Sequence, residues 1–94
     1  MRHYGTERQE TMLEQAEAAV LEEMKRRRWD EGELERRAKG DAYKVAMAMR
    51  LRAETAVTVR WIAERLHMGA PGYANHLLYL RRKAKGERVA NIKN

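Results

Sequence analysis

Apolar residues recur at steps of three and four positions along nearly the whole chain, the spacing that places side chains on one face of an α-helix. The first such stripe consists of Met12, Leu13, Ala16, Ala19, Val20 and Met24. It is narrow and rich in alanine, so another helix can approach it closely. The pattern predicts a long N-terminal helix that ends near Arg28. This helix either packs on its own chain or joins a second copy in a homodimer.

Two aspartates divide the middle of the chain into helices. Asp30 precedes a short helix that carries Leu34, and Asp41 precedes a third helix. An aspartate in this position accepts hydrogen bonds from the free amides of the first turn. Gly40 lies between them and is expected to end the short helix with a positive φ, which glycine adopts at little cost. Trp29 is expected to pack across the junction between the first two helices.

The segment that begins at Thr58 predicts two helices separated by a tight break. The inward face of the first helix consists of Val59, Ile62, Ala63 and Leu66. Ala63 is small enough for two helices to cross closely at a short turn. Met68 is expected to fill the turn, Gly69 to redirect the chain, and Pro71 to occupy the first turn of the next helix. The segment therefore predicts a helix-turn-helix.

The turn differs from the commonest helix-turn-helix template, which has glycine four residues after the small alanine. This chain has His67 at that position, and its glycine follows two residues later. We therefore expect a turn that is about one residue longer than in the template.

The helix after the turn has two chemically different faces. Ala74, Leu77 and Leu78 repeat at helical spacing and are expected to pack inward. The opposite face is polar, aromatic and basic, without an acidic residue, and consists of Gly72, Asn75, His76, Tyr79, Arg82 and Lys83. Such side chains bind base edges and phosphate oxygens, so Gly72–Lys83 is predicted to be a recognition helix in the major groove of DNA. Tyr73 and Arg60 complete the candidate DNA-binding residues.

Charge is distributed unequally between the two halves of the chain. Residues 1–47 carry ten lysines and arginines against eleven acidic residues, whereas residues 48–94 carry ten against three. The formal net charge of +6 therefore arises in the second half. A basic half beside a balanced half is typical of a protein with a polyanionic partner, above all nucleic acid. The alternatives are a basic face that is only solvated, or one that binds an acidic protein.

Length and composition restrict the classes of protein further. A chain of 94 residues builds a modest core and no deep catalytic cleft. It has no cysteine, which excludes disulfides and thiolate metal sites and suits a reducing compartment. No apolar run approaches the roughly 18 residues of a membrane span, so we expect a cytoplasmic protein with no membrane partner. We divide it into a helical arm (1–28), a helix-turn-helix DNA-binding domain (29–84) and a basic flexible tail (85–94).

The stretch KGDAYKVAMAMRLRAETAVTVRWIAERLHMG resembles the C-terminal region of REP-associated tyrosine transposases, in which such a segment follows the catalytic domain. The shared elements are Lys39-Gly40-Asp41, Arg50-Leu51-Arg52, Glu54-Thr55, Trp61-Ile62-Ala63 and Met68-Gly69. The resemblance extends from about Trp29 to Leu80, roughly half of the chain. It implies a DNA-binding accessory domain that helps to hold the end of an element, as duplex or as hairpin-forming repeats.

The catalytic chemistry of that family is not expected in this chain. It requires a His-hydrophobic-His pair for a divalent metal and a tyrosine nucleophile, yet His3, His67 and His76 never lie two positions apart. Without that metal the tyrosines are interpreted as packing or binding residues. We expect no enzymatic activity, no metal site and no cofactor.

Two functions remain open from the sequence. The first is a DNA-binding module of the helix-turn-helix type. The second is a helical interaction or homodimerisation module whose N-terminal helix docks a partner and which does not bind DNA. The two are compatible if a dimer places two recognition helices on one duplex.

Overall fold

The computed structural model describes the backbone of residues 3–93 and the side chains of residues 10–86. Within that part of the chain all regular secondary structure is helical. The five helices are α1 (His3–Arg27), α2 (Glu31–Arg36), α3 (Ala42–Glu54), α4 (Val59–Arg65) and α5 (Pro71–Lys93). The predicted all-α class, the number of helices and the long N-terminal helix are confirmed.

Three predicted capping residues begin the inner helices. The Asp30 carboxylate accepts a hydrogen bond from the amide three residues later at 2.9 Å. Asp41 accepts from the amides two and three residues later at 2.8 and 3.3 Å, and Thr58 Oγ1 accepts from the amide three residues later at 3.0 Å. Amides of the first turn lack the carbonyl acceptor four residues earlier that later helical amides have, so each cap fixes where its helix starts.

Helix α1 shares its core with the rest of the chain. It packs against α3, which also packs against α4 and α5. From residue 10 onward, the buried residues of α1 are the apolar Ala16, Ala19, Val20 and Met24, together with Glu23. The small alanines let α3 approach closely, so α1 folds back on its own chain from Ala16 onward. The core therefore includes residues on both sides of position 28, and the division into arm, domain and tail stays a prediction.

The last helix is longer than the sequence pattern predicted. Residues 85–94 were expected to be a flexible tail, but α5 continues as a helix to Lys93. Ala84 and Lys85 are good helix formers, and no proline follows to interrupt the helix. Gly86 lies inside the helix, and a β-carbon added there would meet nothing within 4 Å.

Gly40 has a different role from the one predicted. Helix α2 already ends at Arg36, and the positive φ angles among the described residues occur elsewhere. A β-carbon at Gly40 would lie 2.8 Å from the hydroxyl oxygen of Tyr73, closer than real β-carbons approach such atoms. Glycine at position 40 therefore leaves room for the Tyr73 hydroxyl beside the α2–α3 loop, rather than ending α2, and a side chain there would displace that hydroxyl.

Helices α1 and α4 end in the same backbone motif, each with a non-glycine residue in the left-handed region. Arg28 has a φ of 61° and His67 has a φ of 54°. In each case the amide of the next residue, Trp29 or Met68, donates to the carbonyl five positions earlier, at 2.9 and 2.8 Å. This is the Schellman motif, in which an apolar residue after the left-handed position packs back on the helix. Trp29 packs against the core as expected.

Candidate nucleic-acid interface

Helices α4 and α5 pack against each other and are joined by the turn 66–70. The predicted inward residues of both helices are buried or half-buried: Val59, Ile62, Ala63, Leu66, Ala74, Leu77 and Leu78. Met68 is fully buried and fills the turn. Gly69 has a φ of 82°, and Pro71 is the first residue of α5. These positions agree with the predicted helix-turn-helix.

The turn has a left-handed residue at the position where the template has glycine, although that residue is not glycine. His67, four residues after Ala63, itself adopts the left-handed conformation, and Gly69 supplies a second positive φ two residues later. The His67 carbonyl accepts a hydrogen bond from Lys44 Nζ at 3.0 Å. The turn therefore departs from the template in the residue type at His67 and in the additional left-handed residue at Gly69.

A buried lysine connects this turn to the α2–α3 loop. The side chain of Lys44 is fully buried, and its Nζ donates to the carbonyl oxygens of Arg37 and His67, each at 3.0 Å. Burial lowers the pKa of Lys44 below its ordinary value because the ammonium is removed from water. Sequence reasoning missed this residue, since lysine is rarely fully buried. Through Lys44, the end of α4 is held against the segment that precedes α3.

Four of the eight predicted DNA-binding residues lie in one line along α5. We call Gly72, His76, Tyr79 and Lys83 the outer row; they are separated by four, three and four positions, so they share one face. All four are exposed. Ala74 and Leu78, on the opposite face, are fully buried. The helix therefore presents the outer row to solvent.

Three other predicted residues of α5 lie on its flanks. Asn75 and Arg82 are seven positions apart and occupy one flank, where Arg82 lines a shallow pocket with residues of α3. Tyr73 lies on the opposite flank, and its hydroxyl contacts Gly40 although 46% of the residue is exposed. Tyr73 thus differs from the other predicted residues, because part of it packs on its own chain. Arg60, the eighth residue, is exposed on α4.

Two arginines of α1 and one of α3 are held by carboxylates. Glu23 is buried, with 4% of its surface exposed, and it forms ion pairs with Arg26, Arg27 and Arg50. Arg50 also pairs with Glu54 at 2.9 Å. Burial by itself raises the pKa of Glu23, but the hydrogen bonds from Arg50 and Arg27 outweigh it and hold the pKa below its ordinary value. This part of the surface is neutralised within the chain.

One arginine of the helix-turn-helix is also neutralised in this way. Arg65 on α4 donates to Glu17 of α1 at 2.7 Å and to Glu31 of α2 at 2.9 Å. The hydrogen bond from Arg65 lowers the pKa of Glu17. Arg65 therefore joins three helices on the side of α4 that faces α1, and it is not available to an external anion.

The cations of α5 have a different environment. Arg81, Arg82, Lys83 and Lys85 are exposed and form no ion pair with any residue in the range 10–86. The sequence contains no acidic residue between Pro71 and Gly86. Arg52 on α3 likewise has no carboxylate partner among the described side chains.

Sequence reasoning missed three of these unpaired cations, and a local signal identifies them. Arg52, Arg81 and Lys85 have no acidic residue three or four positions away. This is the spacing at which ion pairs form on a helix. A search for cations without such a neighbour would have added all three to the candidate residues.

Within residues 10–86, no three histidine, aspartate or glutamate side chains come together as a group that could hold a metal ion. None of the helices, as far as they are described, is long and apolar enough to cross a bilayer. Comparisons of the chain with protein-family models, with curated proteins and with solved structures found no match.

Proposed function

We propose that the protein is a DNA-binding module of the helix-turn-helix type, with Gly72–Lys83 as its recognition helix. The observation that carries this proposal is the exposed face of α5, which is polar, aromatic and basic and has no acidic residue. Its cations make no ion pair with the described side chains. An unpaired cation is free to neutralise a phosphate and release the counterion bound there, which drives association with DNA.

The proposed roles follow from the position of each residue along α5. In helix-turn-helix proteins the N-terminal residues of the recognition helix contact base edges. Asn75 and His76 lie in this part, and asparagine pairs with the N6 and N7 atoms of adenine. Tyr79 and Lys83 lie one and two turns further along and are suited to phosphate oxygens. Arg60 is suited to the DNA backbone that the preceding helix crosses.

The proposal extends to a relationship with the accessory domain of transposase-like proteins. It is supported by the shared elements between Lys39 and Gly69, and it implies DNA at the end of an element, as duplex or hairpin. The catalytic chemistry of such a protein would belong to a separate domain. The proposal contains no reaction carried out by residues of this chain.

A second candidate function, a helical interaction or homodimerisation module, is favoured by the exposed part of α1. Leu13 and Leu21 are 43% and 50% exposed. Leu13 also lines a mainly apolar groove of about 150 Å³, with Val57 and Trp61 among the other lining residues. In this function the groove binds a partner helix, and the basic face of α5 is solvated or contacts an acidic protein.

Fluorescence anisotropy separates the two functions. Labelled pools of duplex and hairpin DNA are titrated with the protein across a series of salt concentrations. If four to six phosphates are neutralised, log K plotted against log salt has a slope of roughly −3.6 to −5.4, at about −0.9 per contact. Absence of binding even at low salt contradicts the DNA-binding proposal and leaves the interaction module, which sedimentation of the protein with Leu13→Ser then tests.

Two variants sharpen this measurement. Asn75→Ala and His76→Ala are expected to reduce the preference for selected sequences while binding to unselected DNA persists, because base contacts specify and phosphate contacts position. Gln15→Ala, which removes an exposed amide from α1, is the matched control and is expected to change neither. Equal losses for selected and unselected DNA would contradict base reading by Asn75 and His76.

A further inference from the structure

We infer that Arg52 and Arg82 together bind one backbone phosphate of the DNA, an inference that rests on the proposed function. The two arginines come from different helices, α3 and α5. They line one shallow pocket of about 240 Å³, whose other lining residues are Met49 and Ala53. The inference adds Arg52 to the interface and assigns Arg82 to the DNA backbone instead of to a base.

The charges around the pocket favour an anion. No acidic residue lines it, and neither arginine forms an ion pair with the described side chains. Glu54, two positions after Arg52, is engaged by Arg50 on another side of α3 at 2.9 Å. No carboxylate among the described side chains therefore offsets the charge of Arg52 or Arg82, whereas Glu54 offsets the charge of Arg50, which lies on the same helix as Arg52.

The Arg52 side chain is already oriented before any ligand binds. Its Nη1 atom donates to the carbonyl oxygen of Val57 at 3.3 Å, which uses one of its five N–H donors. The remaining donors are available to a phosphate, and guanidinium groups match its oxygens with paired hydrogen bonds. Met49 and Ala53 supply an apolar floor against which a deoxyribose can pack.

The position of Arg82 on α5 supports contact with the backbone. Arg82 lies seven residues beyond Asn75 on the same flank, or about 10 Å further along the helix axis at 1.5 Å per residue. The N-terminal part of a recognition helix is the part that contacts bases. A phosphate held between Arg82 and Arg52 would join α5 to α3 and fix how α5 is oriented in the groove, since phosphate contacts set register.

The test compares four variants with the wild-type protein in anisotropy titrations. They are Arg52→Ala, Arg82→Ala, the double variant, and Lys25→Ala as a control that removes an exposed cation far from the pocket in sequence. Each protein is titrated into a selected duplex and a scrambled duplex across a salt series. Thermal melts by circular dichroism verify folding. If Arg52→Ala fails to fold, Arg82→Ala and Arg82→Gln decide the result, because Arg82 makes no hydrogen bond or ion pair with the described residues.

We expect each single substitution to lower affinity for both duplexes by the same factor, about threefold at physiological salt. One arginine still neutralises the shared phosphate in each single variant. The double variant should therefore be the one that makes the salt slope shallower, by about 0.9 for one lost phosphate. Lys25→Ala should leave affinity and slope as in the wild type. Replacing single phosphates by neutral methylphosphonates should identify one position that weakens binding by the wild type but not by the double variant.

Other results overturn the inference in distinguishable ways. A slope change of about 1.8 in the double variant means that the arginines contact two separate phosphates. Loss of affinity for the selected duplex alone means that Arg82 reads a base. If the Arg52 and Arg82 variants, single and double, bind DNA like the wild type, this inference is wrong and the proposed function is unaffected. If the wild-type protein binds neither duplex, both are wrong.

Discussion

Two arginines at the end of α1 and two cations of α5 lie in opposite environments. Arg26 and Arg27, in the last turn of α1, are paired with the buried Glu23, whereas Arg82 and Lys83 on α5 have no carboxylate partner among the described side chains. Pairing with Glu23 offsets the charge of Arg26 and Arg27, whereas no carboxylate among the described side chains offsets that of Arg82 and Lys83. The comparison teaches that net charge alone does not locate a polyanion site, because an arginine already bound to glutamate contributes little to it.

Lys44 is an exception to the contrast between paired and exposed unpaired cations, because it is buried without a carboxylate partner. Lys44→Met keeps most of the side-chain volume but leaves the carbonyls of Arg37 and His67 without their donor. We expect it to lower the free energy of unfolding by about 2–4 kcal/mol, measured by urea denaturation. Lys39→Met, at an exposed position of the α2–α3 loop, is the control and should cost less than about 0.5 kcal/mol. Equal losses in the two variants would contradict a special role for Lys44.

The paired side of the comparison is tested at Glu23. Glu23→Gln weakens the charged hydrogen bonds from Arg27 and Arg50, and we expect it to lower the free energy of unfolding at pH 7 by about 1–3 kcal/mol. Glu14→Gln, on an exposed position of the same helix, should change it by less than about 0.5 kcal/mol.

The loss at Glu23 should depend on pH. Its pKa is lower in the folded protein than in the unfolded chain, so the unfolded chain takes up the proton first as the solution is acidified. The contribution of Glu23 is therefore present above the unfolded pKa of about 4.3 and is lost as pH falls through the folded value. The difference between wild type and Glu23→Gln should shrink between pH 7 and pH 3. A difference that is independent of pH would show that the ion pairs do not stabilise the fold.

The contrast between paired and unpaired cations is tested by removing one of each kind. Lys83→Ala and Arg36→Ala change the net charge equally, but Arg36 is paired with Glu33 at 2.7 Å. We expect Lys83→Ala to weaken DNA binding about fivefold at physiological salt, as one lost phosphate contact requires. Arg36→Ala should leave the affinity unchanged in the same anisotropy titration. If both variants weaken binding equally, net charge governs binding and the distinction between paired and unpaired cations fails.

The smallest expected effect concerns the two left-handed residues that follow α1 and α4. His67 is exposed, so His67→Gly removes backbone strain without removing packing. We expect the free energy of unfolding to rise by about 0.5–1 kcal/mol, with a similar rise for Arg28→Gly. Urea denaturation measures both, and DNA affinity should stay the same. A lower stability of His67→Gly would mean that its side chain contributes to the turn.

Local features of the fold were predictable, because they depend on residues close in sequence. The caps Asp30, Asp41 and Thr58 bond amides within three residues, and the buried face of α5 follows from helical spacing. The exposed outer row was predictable for the same reason. Ion pairs at steps of three and four also follow from spacing, as at Arg50 and Glu54.

Features that depend on distant parts of the chain were not predictable. The two carbonyls that bind Lys44 lie 7 residues before it and 23 residues after it. Arg65 reaches a carboxylate 48 positions away, and Gly40 is explained by the approach of Tyr73 from another helix. The pocket of Arg52 and Arg82 exists because α3 packs against α5. Spacing along the chain carries no information about these contacts.

The exposed outer row of α5 has a consequence for how this protein can evolve. The side chains of His76, Tyr79 and Lys83 make no hydrogen bond, ion pair or ring contact within the described part of the chain, and Gly72 has open space where a side chain would begin. Substitutions at these positions therefore carry no penalty in folding. Under the proposed function, natural selection acts on them only through their effect on binding by α5. Under that function, a lineage of such proteins can change its target one side chain at a time while Lys44, Gly40 and the core stay the same.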